Sequence, residues 1–242
     1  MSRLRSWNGT KVLSLQGLWI CFGLEERMKA FVSWSGGKES AFSCYKAMKE
    51  QNIKVTCFLN MISEDGKRSR SHGIIPDLLK QQAKSIGVRI VQKKTSWETY
   101  EDIFIKSISV LKKREIKAGI FGDIDLQEHR DWVENVCNKT GIKSMLPLWK
   151  FKRKKLMEEF IQAGFKAIIV ATDASFLDEK WLGRNIDNEF VEELKALGNI
   201  DICGEKGEYH TFVYDGPIFK KPVEFIPGKK ILKDKHWFLN LK

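Results

Sequence analysis

Short apolar runs alternate along this chain with stretches in which apolar residues recur every three or four positions. Ala30–Trp34 is a run of the first kind and reads as a strand. From Glu39 to Lys49, Ala41, Phe42, Tyr45 and Met48 fall on one helical face. The pattern then predicts a strand at Val55–Met61, a polar loop from Ser63 to Gly73, and a helix at Pro76–Ile86 that Gly87 ends. A short strand at Val88–Val91 follows. Thr95 or Ser96 is placed to cap a long helix through Leu111, with Ile103, Ile108 and Leu111 spaced for burial. Ala118–Phe121 reads as a strand, Asp125 or Leu126 as the start of a helix to Lys139, Lys152–Ala163 as a helix and Ala167–Ala171 as a buried strand. This alternation predicts an α/β fold with a doubly wound parallel sheet, because parallel strands need crossover helices.

The rhythm changes after Asp173. Glu189–Leu197 reads as a helix, and Tyr209–Tyr214 and Lys229–Lys233 as strands of a smaller C-terminal α+β region packed against the first. The expected division is therefore 28–173 and 174–242. Residues 1–27 look unlike the rest. Leu13–Gly23 is apolar but lacks the basic start and cleavage site of a signal peptide. The expectation is that Met28 is the true start and that 1–27 is a non-native or disordered leader. No apolar run reaches membrane-spanning length.

The string Ser35-Gly36-Gly37-Lys38-Glu39-Ser40 sits where the first strand meets the first helix. A helix N-terminus presents unpaired N–H groups and a positive dipole end, which suit an anion. Gly36 and Gly37 allow a sharp turn and close approach to an oxygen. Lys38 adds charge, and Ser35 and Ser40 add hydroxyls. The chemistry implied is phosphate binding, most simply of a nucleotide; the bland alternative is an ordinary strand–turn–helix corner. The spacing is too short for GxxxxGK[ST], and GxGxxG is absent. Ser35–Ser40, Asn60–Gly73 and Gly122–Asp123 all follow predicted strands, and ligands of open parallel sheets bind beyond the strands' carboxyl ends.

Lys and Arg number 42 against 31 Asp and Glu, a formal charge of +11. That balance favours anionic partners such as nucleotides, RNA or an acidic protein, although a lysine-rich solvated surface gives the same count. No basic run is interleaved with aromatics as in single-strand platforms, so nucleic acid is not the expected partner. The five cysteines are scattered, without CxxC, which fits free thiols in a reducing cytoplasm rather than a disulfide framework.

Trp34-Ser35-Gly36-Gly37-Lys38-Glu39-Ser40 resembles the pyrophosphate loop of the N-type ATP pyrophosphatases, of the adenine nucleotide alpha hydrolase-like superfamily. Within it, six further strings resemble the diphthine–ammonia ligase family: Arg70-Ser71-His72-Gly73, Phe121-Gly122-Asp123-Ile124, Glu128-His129-Arg130, Pro147-Leu148-Trp149, Trp181-Leu182-Gly183-Arg184 with Asp187, and Cys203-Gly204-Glu205-Lys206-Gly207-Glu208-Tyr209-His210-Thr211-Phe212. The likeness runs from Met28 to the chain's end, and the last string is its most specific part. The family usually has aspartate where Glu39 stands, and often proline and asparagine where Ile202 and Lys206 stand. The resemblance implies ATP and magnesium, ammonia, and a carboxylate acceptor. In the family that acceptor is diphthine, a modified histidine on translation elongation factor two. Residues 174–242 would bind it.

Several residues carry two readings. His72 is a nucleotide contact near the phosphates or an exposed loop histidine. Asp123 binds magnesium or the acceptor, or caps the following helix. Arg130 reaches a phosphate or pairs with Glu134 at i+4; the ion pair is favoured. Glu205 and Glu208 orient ammonia, water or magnesium, or belong to an ordinary acidic turn. Alternation places Tyr209 and Thr211 on one strand face and His210 on the other. Trp149 and Trp181 read as core or lid aromatics. The expected catalytic set is Lys38, Asp123, Glu205 and Glu208. Ser35, Gly36, Gly37, Lys38, Glu39, Ser40, His72, Gly73 and Gly122 are the expected nucleotide-binding set. Lys38 is expected in an exposed loop. A metal-ligand set is not assigned, and a homodimer is left open. Two rival functions remain, a tRNA-modifying ATP pyrophosphatase and a non-catalytic ATP-binding module.

Overall fold

In the computed structural model, residues 27–50 and 53–242 are described. The leader expected at 1–27 lies outside them apart from Arg27. The elements run β1 (Met28–Ser33), α1 (Lys38–Glu50), β2 (Ile53–Ile62), α2 (Pro76–Ile86), β3 (Arg89–Lys94), α3 (Tyr100–Lys112), β4 (Ala118–Ile120), α4 (Gln127–Thr140) and β5 (Lys143–Met145). They continue through α5 (Arg153–Gln162), β6 (Lys166–Asp173), a 3-10 turn at Glu179–Trp181, α6 (Asn188–Leu197), β7 (Tyr209–Asp215), β8 (Pro227–Lys233) and β9 (His236–Leu241).

The first sheet has the order β3-β2-β1-β4-β5 and is parallel throughout. The doubly wound α/β architecture expected from the alternation is therefore present. β1 is buried along Ala30–Val32 and lies at the centre, so its carboxyl end delivers Ser35–Ser40 to the middle of the sheet edge. α2 keeps the expected bounds because Pro76 opens it and Gly87, at φ 83°, ends it in the left-handed region.

β6 departs from expectation. It does not extend the parallel sheet; it pairs antiparallel with β7 and β9 in a second sheet ordered β7-β6-β9-β8. The change of sheet therefore falls before Lys166. The apolar run Ala167–Ala171 reads as a buried strand in either setting, so pattern alone could not assign its sheet. α3 also starts later than a Thr95 or Ser96 cap implies. Those residues instead turn the chain through hydroxyl bonds with Thr99: Ser96 N–H donates to Thr99 Oγ1 at 3.0 Å, and Thr99 N–H to Ser96 Oγ at 3.2 Å.

One apolar cluster joins Trp34, Phe42 and Leu79 of the first unit to Ile169, Phe190 and Phe212 of the second. A second cluster, with Phe31, Phe104, Phe121 and Val136, fills the opposite face of the parallel sheet under α3 and α4. The two sheets thus share a core. Gln82, wholly buried, ties them at the point that matters: its Nε2 donates to Gly36 O at 3.0 Å and Val213 O at 2.6 Å, while Trp34 Nε1 donates to its Oε1 at 2.8 Å.

Candidate active site

β1 ends at Ser33, and the chain turns through Gly36 at φ +84° into α1. A Cβ on Gly36 would sit 2.4 Å from Leu79 Cδ2 and 2.8 Å from Gln82 Oε1. Glycine is required there on both conformational and steric grounds. Ser35 Oγ accepts from Gly37 N–H at 3.2 Å, and Ser40 Oγ donates to Gly37 O at 3.0 Å. The first turn of α1 directs its remaining amides out of the helix end, as an anion site requires.

This corner opens on a cavity of about 550 Å³. Ser35, Lys38, Glu39, Ser40, His72, Gly122, Asp123 and Glu205 all line it. They come from the loops after β1, β2 and β4 and from the loop before β7, so the edge predicted from the parallel strands is closed by the second sheet. Gly36, Gly37 and Gly73 shape the backbone beneath without lining the cavity. A Cβ on Gly37 would meet His72 Cε1 at 2.1 Å.

Lys38 is not in an exposed loop. It opens α1 and is 2% exposed. Its Nζ pairs with Glu39 Oε1 at 2.5 Å, donates to Cys203 O, and lies 4.6 Å from the centroid of the Tyr209 ring. Burial alone lowers the affinity of this amine for its proton. Interactions with Glu39 first, and with Tyr209 and Cys203, together outweigh that, and the net shift is upward, so Lys38 is a fixed cation beneath the cavity. Tyr209 and Thr211 both reach Lys38, the latter accepting from Lys38 N–H at 3.0 Å. The alternation along β7 had placed them on one face.

Glu205 lies at the cavity wall, where burial and the neighbouring Glu39 carboxylate raise its pKa well above the usual carboxylate range. Glu208 does not line the cavity. It is 1% exposed and accepts from Asp201 N–H and Lys206 N–H, each at 3.0 Å. Its carboxylate ties the 201–208 loop to itself and, unlike that of Glu205, does not reach the cavity. Arg153 holds the same loop from outside, pairing with Asp201 and, at 2.6 Å, with Asp125 in the loop after β4.

Asp123 does not cap α4, whose N-cap is Leu126. It faces His129 Nδ1 at 3.1 Å, and that hydrogen bond raises the His129 pKa. His72 is buried rather than exposed. Its Nδ1 bonds Thr211 O at 2.8 Å and its ring lies 4.8 Å from that of His210. Burial depresses His72 to about 4 and His210 to about 3, where neighbouring His72 and Lys38 add to the effect. Both rings are neutral near pH 7. Arg130 pairs with Glu134 at 2.6 Å, as favoured from the i+4 spacing. An aromatic wall of Trp97, Tyr100 and Trp132 had no sequence signal beyond residue type. The Arg70 guanidinium sits 4.4 Å from the Trp97 ring centroid.

The fold and site define a doubly wound α/β protein whose cavity lies beyond the parallel strands and is completed by a second sheet. Residues 28–144 match the diphthamide synthase N-terminal domain and residues 152–242 the diphthamide synthase C-terminal domain. The chain belongs to the diphthamide synthase family. It is 31% identical over 218 residues to a diphthine–ammonia ligase of Schizosaccharomyces pombe, covering 81% of this chain and 36% of that one. Similarity to the human diphthine–ammonia ligase is 32% over 145 residues, covering 59% of this chain and 54% of that one. The Saccharomyces cerevisiae diphthine–ammonia ligase is 25% identical over 231 residues, covering 80% of this chain and 34% of that one. The chain spans about a third to a half of the length of these relatives. Among the described residues no helix is long and apolar enough to cross a membrane.

Proposed function

We propose that this chain is an ATP-dependent ligase that joins ammonia to a carboxylate, with diphthine on translation elongation factor two as the acceptor and the cytoplasm as its setting. The observation that carries the reading is the meeting, in one cavity, of the glycine corner at the α1 N-terminus and the Cys203–Tyr209 loop through Lys38. A carboxylate oxygen attacks the α-phosphorus of ATP, and pyrophosphate leaves. The resulting acyl-adenylate is attacked at carbon by ammonia, which gives up a proton as AMP departs. Adenylation is needed because a carboxylate is a poor acyl donor at neutral pH.

The α1 amides and Lys38 stabilise the charge that gathers on departing pyrophosphate. Glu205, in its ionised form, takes the proton from attacking ammonia; its raised pKa brings it closer to the operating pH than an ordinary carboxylate. Asp123 is the carboxylate at the end of β4 that fits magnesium. Among the described residues no cluster of three or more His, Cys, Asp or Glu is arranged to hold a metal. Magnesium there would be held by few carboxylates and by the substrate's own phosphates, whose charge it would neutralise.

The described thiols argue against sulfur transfer to tRNA. Cys44 and Cys137 are each pushed up to about 12 by burial, and Cys203 is raised as well, whereas transfer chemistry needs an accessible thiolate.

The test is incubation with magnesium, ATP, ammonium and diphthine-bearing elongation factor two. One AMP and one pyrophosphate are expected per amide formed. Formation of ADP, or ATP binding without any AMP under these conditions, overturns the reading; the second outcome would favour a non-catalytic ATP-binding module.

A further inference from the structure

A second cavity, of about 430 Å³, lies between the edge strand β3 and helix α3. Its volume falls within the range of about 300–1,000 Å³ that small-molecule sites occupy. Every second residue of β3 faces it, so Arg89 and Lys93 stand on one wall about 13 Å apart along the strand, with Val91 between them. The other wall belongs to α3 and the turn beyond it, which contribute Lys106 and Arg114. Between the walls the floor is apolar and includes Ile103 and Leu111.

All four cations are exposed, and none makes an ion pair with a carboxylate among the described residues. Elsewhere in the chain some cations are paired, as Lys46 is with Glu50 and Glu159, and Arg153 with Asp125 and Asp201. Unpaired like charges facing one another across an apolar trough repel, and a ligand carrying negative charge relieves that repulsion. The apolar floor requires that the ligand also have a hydrocarbon body.

We infer that the β3–α3 cleft is a binding site for an amphiphilic organic anion, a carboxylate or phosphate borne on a medium-length alkyl or aryl body. The apolar residues are sunk between two basic walls, a concave arrangement suited to a free molecule and not to insertion into a bilayer. The site is separate from the catalytic cavity. Tyr100, at the first residue of α3, lines that cavity, whereas this cleft begins a turn later and runs past the helix's other end.

The test uses decanoate, below its micelle concentration, against the full chain by titration calorimetry at low ionic strength. One molar equivalent is expected to bind. The exposed double variant Lys106→Gln/Arg114→Gln should weaken binding about tenfold, and Val110→Asp, at the rim, should weaken it further while circular dichroism stays unchanged. Decyltrimethylammonium, with the same tail and the opposite charge, should not bind. Absence of decanoate binding, equal binding of the two detergents, or insensitivity to Lys106→Gln/Arg114→Gln overturns the assignment. So does equally tight binding of inorganic phosphate, which would make this a plain anion site. Co-sedimentation with phosphatidylserine vesicles that decanoate does not reverse would make the surface a membrane contact and also overturn it. AMP formation in the catalytic cavity should be the same in all these variants.

Discussion

The backbone N–H of Lys38 donates to Thr211 Oγ1 at 3.0 Å, so the first turn of α1 in the parallel sheet is capped by a hydroxyl from β7 in the antiparallel one. Helix N-termini are ordinarily capped from the residue just before them. Here the cap comes from 173 positions away, and it fixes the glycine corner to the opposite sheet. Thr211→Val keeps the shape and removes the acceptor, leaving a buried donor unpaired. It is expected to cost about 1–3 kcal/mol in urea unfolding, whereas Thr211→Ser keeps most of the stability. Equal unfolding midpoints for the two variants would show that the bond contributes nothing.

Lys38 carries a heavier consequence. Removing one member of a buried ion pair strands the other charge, so Lys38→Ala is expected to lose about 3–5 kcal/mol as well as AMP formation. Adding Glu39→Gln to a Lys38→Met background removes the stranded carboxylate and should recover much of the stability without restoring activity. Denaturation curves and AMP release measured on the same preparations separate the two effects. A Lys38→Ala protein as stable as the parent would contradict the burial of this side chain.

The strand–glycine–helix corner at Ser35–Ser40 was legible in the sequence because everything that makes it is local: an apolar run, two glycines, and a periodic stretch that follows. The helix Pro76–Ile86 was legible for the same reason, with its start and stop written in Pro76 and Gly87. Burial of Lys38 was not, because its partners Cys203, Tyr209 and Thr211 come from the other end of the chain and only the folded sheet pair brings them in. Glu205 and Glu208 show the same limit within one string. Both are carboxylates beside Gly207, but the turn aims Glu205 at the cavity and Glu208 back at the amides of Asp201 and Lys206. Residue type and spacing do not encode that difference. Two short strands also escaped: Lys143–Met145 has no apolar run, and His236–Leu241 mixes its faces.

Glu205 has a pH signature. Its folded-state pKa is raised above that of the unfolded chain, so the native state holds the extra proton between the two values. The stabilisation is complete below the unfolded carboxylate pKa and is lost as pH rises through the raised, folded one. Glu205→Gln cannot lose a proton, so its stability relative to wild type should grow as pH rises through that window. Unfolding free energies measured from the ordinary carboxylate pKa of 4.5 up through about 8 give the comparison. If Glu205 takes the proton from ammonia, the glutamine variant also keeps ATP binding while amide formation collapses. Parallel pH curves for the two proteins would place the carboxyl in water.

Gly122 tests whether the α1 N-terminus grips phosphate. A Cβ there would lie 3.0 Å from both Glu39 C and Glu39 Cβ and 3.1 Å from Ser40 N. These atoms form the first turn of α1, and most of them are backbone, so a methyl group cannot be accommodated by swinging a side chain aside. Gly122→Ala should therefore push the helix end away from the β4 loop by a few tenths of an ångström, disturbing the amides that face the cavity. Overpacking of this kind costs about 1–3 kcal/mol, and misplacing a set of preorganised donors should weaken ATP binding about tenfold. Calorimetric titration with ATP and magnesium reads the affinity, and a thermal melt of the same sample reads the stability. Loss of stability with ATP affinity unchanged would mean that the nucleotide's phosphates lie elsewhere in the cavity, and that the glycine at 122 serves packing alone.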